Sequence, residues 1–230
     1  MIYTGIGIID SSETCPSTLI STTSLRTYYK FNGNANAAFG TNATPVNSPN
    51  YIPSKTGSFD LAANLNGTSQ YYNLGTSTDN EPVGTVGWTF SCWISMSVIQ
   101  SGNIYNKWTG SGGLRIVLRP NLDILVTFNS QNITYTVPAN TFTNSNWFNI
   151  ILRQATGTNN FTCFLNGVSL GTATRISYGN QSTINLYVGT NKDTNGEFFG
   201  GRIDEWAIWN RELTNSEVAL IANGQCPITS

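Results

Sequence analysis

The 230-residue chain contains no histidine. Nucleophilic sites of the Ser-His-Asp and Cys-His classes need an imidazole base, and many zinc sites use imidazole as a ligand. The absence of histidine therefore excludes both classes of catalytic site and every histidine-containing zinc site.

Charged residues are also scarce. They make up 10% of the chain, and the net charge is −1. A protein that binds nucleic acid needs a basic surface to neutralise phosphates, so no nucleic acid is expected as a partner. No apolar run approaches the roughly 20 residues that cross a bilayer, so no membrane span is expected. Residues 1–10 lack the basic start of a secretory signal, and we expect no signal peptide.

The chain has four cysteines and no Cys-x-x-Cys spacing, so a cysteine metal cluster is not expected. Cys92 and Cys163 are in phase with the apolar residues of their strands. Both are predicted to be small buried hydrophobes, with a disulfide between them as the alternative. Cys15 and Cys226 flank the predicted domain. Because domain termini often lie close together, a disulfide staple between these two is a further alternative.

Strand signals dominate the rest of the sequence. Apolar and polar residues alternate through segment 88–96, and further segments such as 124–128 are predicted strands, with Gly/Asn turns between the segments. This pattern predicts one all-β, two-sheet antiparallel β-sandwich over residues 24–226. The Ser/Thr-rich residues 1–23 are predicted to form an N-terminal arm or linker, and residues 227–230 a C-terminal tail.

The segment 200–224 carries the only helix signal. It reads as a buried strand with a bulge near Asp204–Glu205, followed by a short helix. Thr214 and Glu217 have the spacing of a capping box, and Asn223-Gly224 supplies the stop. We expect this helix to plug one edge or end of the sandwich.

This segment also carries a resemblance. The pattern Gly-x-Ile-Asp-Glu-hydrophobic-x-Ile-hydrophobic-Asn-Arg-x-Leu, which begins at Gly201, resembles the closing motif of laminin-G-like domains in the concanavalin A-like lectin/glucanase superfamily. A strand that ends in Phe31, followed by Gly-Asn-Ala-Asn, resembles the family's opening signature. Further segments follow in the family's order, so the resemblance covers roughly 25–224. It implies a concanavalin A-like jelly roll with one short C-terminal helix.

The resemblance implies a calcium site. In the family, the opening loop and the Asp of the closing motif often hold a structural calcium ion. Here Asp204 would be the charged ligand, and Asn34 and Asn36 would contribute amide oxygens, but Ala37 stands where the family usually has Asp. Calcium takes about 6–8 oxygen ligands, so the loss of one carboxylate predicts a weakened site. The alternative is that Asp204 only caps turn amides.

Glycoside hydrolysis is the obvious chemistry of this superfamily. It needs two carboxylates roughly 5–10 Å apart. The glucanase branch carries them on one strand as alternating acidic residues, and this sequence has no such run. Asp204 and Glu205 are adjacent and point to opposite faces of a regular strand, unless a bulge relaxes the alternation. We therefore expect no enzyme activity.

Sugar binding through aromatic stacking is compatible with the sequence. Tyr105 and Trp108 lie beside a Gly-rich segment that can form a rim, and Lys107 and Arg115 can donate hydrogen bonds. Each of these residues can instead pack beneath a loop. The four residues are the predicted carbohydrate-binding set.

The sequence thus predicts a non-catalytic surface-binding or decoration module with glycans as ligands. Sparse charge and an arm before a lectin-like domain favour a virion surface protein, such as a phage capsid decoration or fibre subunit. In that setting residues 1–23 would bind other virion proteins, and a homo-oligomer is an option. The alternative is an extracellular carbohydrate-binding domain of a larger enzyme or adhesin.

Overall fold

The predicted all-β sandwich is confirmed. In a computed structural model, two antiparallel sheets of eight and seven strands face each other across the main core. The description covers residues 20–55, 57–110, 112–120, 123–138, 142, 146–176, 178 and 181–227.

Fifteen strands and one α-helix are found among the described residues. In chain order they are β1 (Leu25–Tyr29), β2 (Thr44–Val46), β3 (Asn50–Ser54), β4 (Gly57–Asn66), β5 (Tyr71–Asn73), β6 (Trp88–Met96), β7 (Gly102–Thr109), β8 (Gly112–Leu118), β9 (Ile124–Phe128), β10 (Gln131–Tyr135), β11 (Phe148–Gln154), β12 (Asn160–Leu165), β13 (Val168–Thr174), β14 (Tyr187–Val188), β15 (Gly200–Trp209) and α1 (Asn215–Ala222). The larger sheet has the order β13-β12-β11-β6-β15-β4-β3, and β1 also pairs with β15. The smaller sheet has the order β10-β9-β8-β7-β14-β5-β2.

Aromatic rings fill the space between the sheets. Trp206 on β15 lies 6.1 Å from Tyr105 of the opposite sheet and 5.3 Å from Phe90 of its own, measured between ring centroids. Cys92 and Cys163 are buried free thiols, which confirms their prediction as small hydrophobes. Burial raises the pKa of both thiols.

Helix α1 covers the outer face of the larger sheet. Trp206 and Ile208 face the main core, whereas Trp209 faces a second apolar cluster under the helix. The predicted capping box is present, since the Thr214 hydroxyl accepts from the Glu217 amide at 3.2 Å and the carboxylate accepts from the Thr214 amide at 2.9 Å. The prediction that the helix plugs an edge or end of the sandwich was wrong. The helix packs on the face of the sheet because β15 presents apolar side chains on both of its faces. Within the described residues, no helix is long and apolar enough to cross a membrane.

The sandwich begins earlier than residue 24. Ile20 is buried in the second cluster, and the Trp209 indole donates to the Ser21 carbonyl at 3.3 Å. Residues 20–23 therefore belong to the sandwich and not to an arm. The rest of the predicted arm, with Cys15, lies outside the described residues, so the Cys15–Cys226 staple stays a prediction.

Candidate functional site

The predicted carbohydrate-binding set splits between the two faces of β7. Tyr105 and Lys107 point into the sandwich and are fully buried. The Tyr105 hydroxyl donates to the Asn80 carbonyl at 2.5 Å. The Lys107 ammonium donates to the Ser77 carbonyl at 2.5 Å and lies 3.6 Å from the Glu81 carboxylate. Neither side chain offers a surface to a sugar, so these two assignments are corrected.

Burial also shifts the pKa values of Tyr105 and Lys107. It raises the pKa of Tyr105, and the nearby Glu81 carboxylate adds to that shift. Burial lowers the pKa of Lys107, against the opposing attraction of Glu81. The pair holds the loop that precedes β6 and has a structural role.

Trp108 and Arg115 lie together on the outer face of the smaller sheet. The Arg115 guanidinium stacks 4.5 Å from the centre of the Trp108 ring, which is only half-buried. The Trp108 indole donates to the Asn129 carbonyl at 2.9 Å, and Arg115 forms a 3.0 Å ion pair with Glu197. These contacts fix the orientation of the ring before any ligand arrives.

A cavity of about 280 Å³ opens beside Trp108. Its lining residues come from the ends of β7 and β14 and from two adjoining loops: Trp108, Thr109, Thr183, Ile184, Asn185, Tyr187, Lys192 and Asp193. Asn185 donates to the Tyr187 hydroxyl at 3.2 Å. Aromatic rings beside amide, ammonium and carboxylate groups suit a ligand with both apolar and hydroxyl-bearing faces.

A second group of functional side chains lies inside the larger sheet. The carboxyl groups of Asp60, Asp204 and Glu205 place oxygen atoms within 4.8 Å of one another, and all three residues are buried. The predicted bulge brings this about: the pairing of β15 with β6 shifts after Asp204, and Glu205 adopts a left-handed φ of 49°. Two carboxylates expected on opposite faces therefore converge.

Hydroxyl, amide and ammonium groups surround these carboxylates. Ser54 donates to Asp204, Tyr28 donates to Glu205, and the Glu205 amide donates to Asp204 Oδ1 at 2.8 Å. The Lys55 ammonium lies 3.9 Å from Asp204 Oδ2. Burial raises the pKa of Asp204 well above its ordinary value, and repulsion from Glu205 adds to the shift. Burial raises the pKa of Glu205 as well.

The donor set of this carboxylate cluster fits a hard cation such as calcium, because it offers several carboxylate oxygens. The residues differ from those predicted, however. Asn34 donates to the carbonyl of Asn32, and the Asn36 amide donates to Asn34, so both asparagines bond within their own loop. The hydrogen bond from the Glu205 backbone amide to Asp204 agrees with the alternative prediction, in which Asp204 caps turn amides. Calcium binding stays a prediction.

The family of the chain follows from a comparison with known families. Residues 66–219 match the laminin-G-like family model described as the concanavalin A-like lectin/glucanases superfamily. The chain belongs to this superfamily. No curated protein sequence matches it.

Three solved structures of similar shape are distant in sequence from this superfamily member. Domain 4 of AbnA, a GH43 extracellular arabinanase from Geobacillus stearothermophilus in complex with arabinotriose, has a TM-score of 0.65 and 18% identity, covering 86% of this chain and 98% of that one. The receptor-binding domain of the botulinum neurotoxin C/D mosaic serotype has a TM-score of 0.65 and 15% identity, covering 89% of this chain and 52% of that one. The binding domain of botulinum neurotoxin DC, in complex with rat synaptotagmin II, has a TM-score of 0.63 at 15% identity and the same coverage.

These likenesses establish the fold and nothing finer. The chain spans about half the length of the two neurotoxin domains. The function must therefore be argued from the side chains.

Proposed function

We propose that this superfamily member is a non-catalytic carbohydrate-binding module whose site is the cavity beside Trp108. The observation that carries the proposal is the Trp108 ring, half-buried and fixed by Arg115 and Asn129 at the cavity wall. Sugars present apolar C–H faces that stack on aromatic rings, while their hydroxyls need hydrogen-bond partners. Asn185 and Lys192 on the same wall supply such partners.

Burial of the carboxylate cluster of Asp60, Asp204 and Glu205 supports a non-catalytic role. Glycoside hydrolysis needs two carboxyl groups that reach the glycosidic bond from either side. Asp204 has no exposed surface, and Asp60 is only 2% exposed. A substrate cannot reach carboxyl groups that are sealed inside the larger sheet.

The setting in which the module works is part of the proposal. Sparse charge and a Ser/Thr-rich segment before the sandwich favour display on a virion surface, as in a phage decoration or fibre subunit. The alternative is an extracellular module of a larger enzyme or adhesin, a setting that the arabinanase domain illustrates for its own protein. In either setting residues 1–19 would hold the partner protein or a second copy of the chain.

The test is a glycan array followed by calorimetric titration, with arabinotriose as the first probe. Trp108→Ala should weaken binding about tenfold or more, since a buried aromatic anchor contributes more than 1.4 kcal/mol. Trp147→Ala is the matched control. Trp147 is also half-buried and lies 5.5 Å from an arginine, Arg202, but it precedes a strand of the other sheet. Equal loss in both variants, or no glycan bound by the wild type, would refute the proposal.

A further inference from the structure

A lysine side chain sits against the buried carboxylate cluster. Lys55 follows β3, and its side chain is only 10% exposed. Its ammonium lies 3.9 Å from Asp204 Oδ2 and 4.9 Å from the centre of the Trp93 ring. An amine and a carboxyl group are therefore held almost in contact at a place that is largely closed to water.

We propose that Lys55 and Asp204 join in an intramolecular amide bond, an isopeptide cross-link between the two side chains. Reacting groups held near van der Waals contact gain an effective concentration far above that of free molecules in solution, and the productive separation is about 3–3.5 Å. The ammonium nitrogen lies 3.9 Å from Oδ2, which is bonded to the carbon that the amine attacks, so a small movement of the Lys55 side chain would bring the reacting atoms together. Exclusion of water favours condensation over hydrolysis.

Neighbouring groups can stabilise the developing charge and transfer protons in this reaction. The Glu205 amide donates to Asp204 Oδ1 at 2.8 Å, so it can stabilise the negative charge that develops on this oxygen during attack. The Glu205 carboxyl group, fixed by the Tyr28 hydroxyl, lies within the same cluster and can carry protons. Ser54 donates to Oδ2, the oxygen that leaves.

The reaction balances without any further reagent. The Lys55 ammonium gives one proton to Oδ2 of its ion-pair partner Asp204, and the free amine attacks Cγ of the resulting carboxylic acid. The new C–N bond forms as the C–Oδ2 bond breaks, and Oδ2 departs as water. Both hydrogens of that water come from the Lys55 ammonium, one of them through Glu205, which ends in its starting form. Nothing is oxidised or reduced.

The cross-link would join the edge of the larger sheet to its centre. Lys55 follows the edge strand β3, Asp204 lies on the central strand β15, and β4 runs between them. An edge strand with a single neighbour is the part of a sheet that frays or pairs with other chains. A covalent tie at this point prevents both. It also removes the charge of Asp204, so it excludes a calcium ion that uses this carboxylate.

Mass spectrometry of the reduced full-length chain tests the proposal. We expect the wild type to be lighter than its sequence mass by one water molecule, and trypsin to leave the bond after Lys55 uncut. The peptide that contains Lys55 should be joined to the peptide that contains Asp204. Lys55→Arg should restore the full mass. Lys30→Arg, which replaces the other lysine whose charge acts on Glu205, should keep the deficit.

The wild-type measurement decides the matter even if a variant fails to fold. A wild-type mass equal to the sequence mass would overturn the proposal, and so would a water deficit that persists in Lys55→Arg. Glu205→Gln should fold, as judged by circular dichroism, and show the full mass, because it lacks the proton carrier. A water deficit in folded Glu205→Gln would refute the role given to Glu205.

Discussion

The ion pair that caps helix α1 gives a quantitative test of the electrostatics. Glu217 accepts from Arg211 through both oxygens and from the Thr214 amide at 2.9 Å. The hydrogen bonds from Arg211 are the main reason that the pKa of Glu217 falls from 4.5 to about 2. At 1.36 kcal/mol for each pKa unit, that shift corresponds to about 3 kcal/mol. Because the pair keeps partial contact with solvent, we expect Glu217→Gln to lower the free energy of unfolding by about 2 kcal/mol at pH 7.

The sign of the pH dependence follows from the direction of the shift. The unfolded chain binds a proton at Glu217 more readily than the folded chain does. The contribution is therefore fully present above pH 4.5 and is lost as the pH falls through about 2. Urea unfolding of wild type and Glu217→Gln across this range measures the difference, in which the other titrating groups cancel.

A neighbouring carboxylate provides the control for this experiment. Glu212 lies 3.8 Å from Arg153, and its side chain is 32% exposed, so Glu212→Gln should cost less than about 1 kcal/mol. A difference between wild type and Glu217→Gln that stays constant from pH 7 to the acid limit would refute the reasoning. A loss at pH 7 no larger than that of Glu212→Gln would do the same.

Three further predictions concern the core, the carboxylate cluster and the N-terminal segment. Trp206→Ala should lower the free energy of unfolding, measured in urea, by about 3–5 kcal/mol, because the ring is fully buried and its indole donates to a carbonyl. A smaller loss than that of Trp147→Ala would contradict the central place of Trp206 in the core. Calcium should raise the melting temperature of Lys55→Ala, because the carboxylate cluster then lacks the neighbouring ammonium, and it should leave that of the cross-linked wild type unchanged. A rise in the wild type alone would favour calcium as the native ligand of the cluster. Deletion of residues 1–14, which retains Cys15, should dissociate any oligomer seen by light scattering and leave the melting temperature unchanged; a large fall in that temperature would place the segment in the sandwich.

Local sequence signals predicted much of the fold. Strand signals identified β6 (Trp88–Met96) and β9 (Ile124–Phe128) with the bounds that the structure has. The capping box and the bulge at Asp204–Glu205 were also readable, because each depends on residues only a few positions apart. The edge strands β2 and β13 were missed, since exposed strands lack the apolar alternation that marks a half-buried one.

The carbohydrate-binding set could have been improved from the sequence alone. On a strand, Tyr105 and Lys107 share one face and Trp108 lies on the other, so the four predicted residues could not have formed one surface. Tyr187 and Lys192 were beyond such reasoning. They reach Trp108 only because β14 inserts between β7 and β5, a pairing between segments far apart in the chain.

Only part of the carboxylate cluster could be predicted from the sequence. The closing motif pointed to Asp204, and the possibility of a bulge at Glu205 was visible. Asp60 and Lys55 join these residues because β3 and β4 pair with each other and β4 pairs with β15. No local pattern in the sequence specifies that order of strands.

An NMR titration with arabinotriose, or with the best binder from the array, tests the central claim most directly. Indole N–H signals report each tryptophan separately, so the spectrum shows which face of the sandwich meets the sugar. We expect the Trp108 signal to shift with increasing sugar and the Trp147 signal to stay in place. A shift at Trp147 with none at Trp108 would contradict the assignment of carbohydrate binding to the outer face of the seven-stranded sheet.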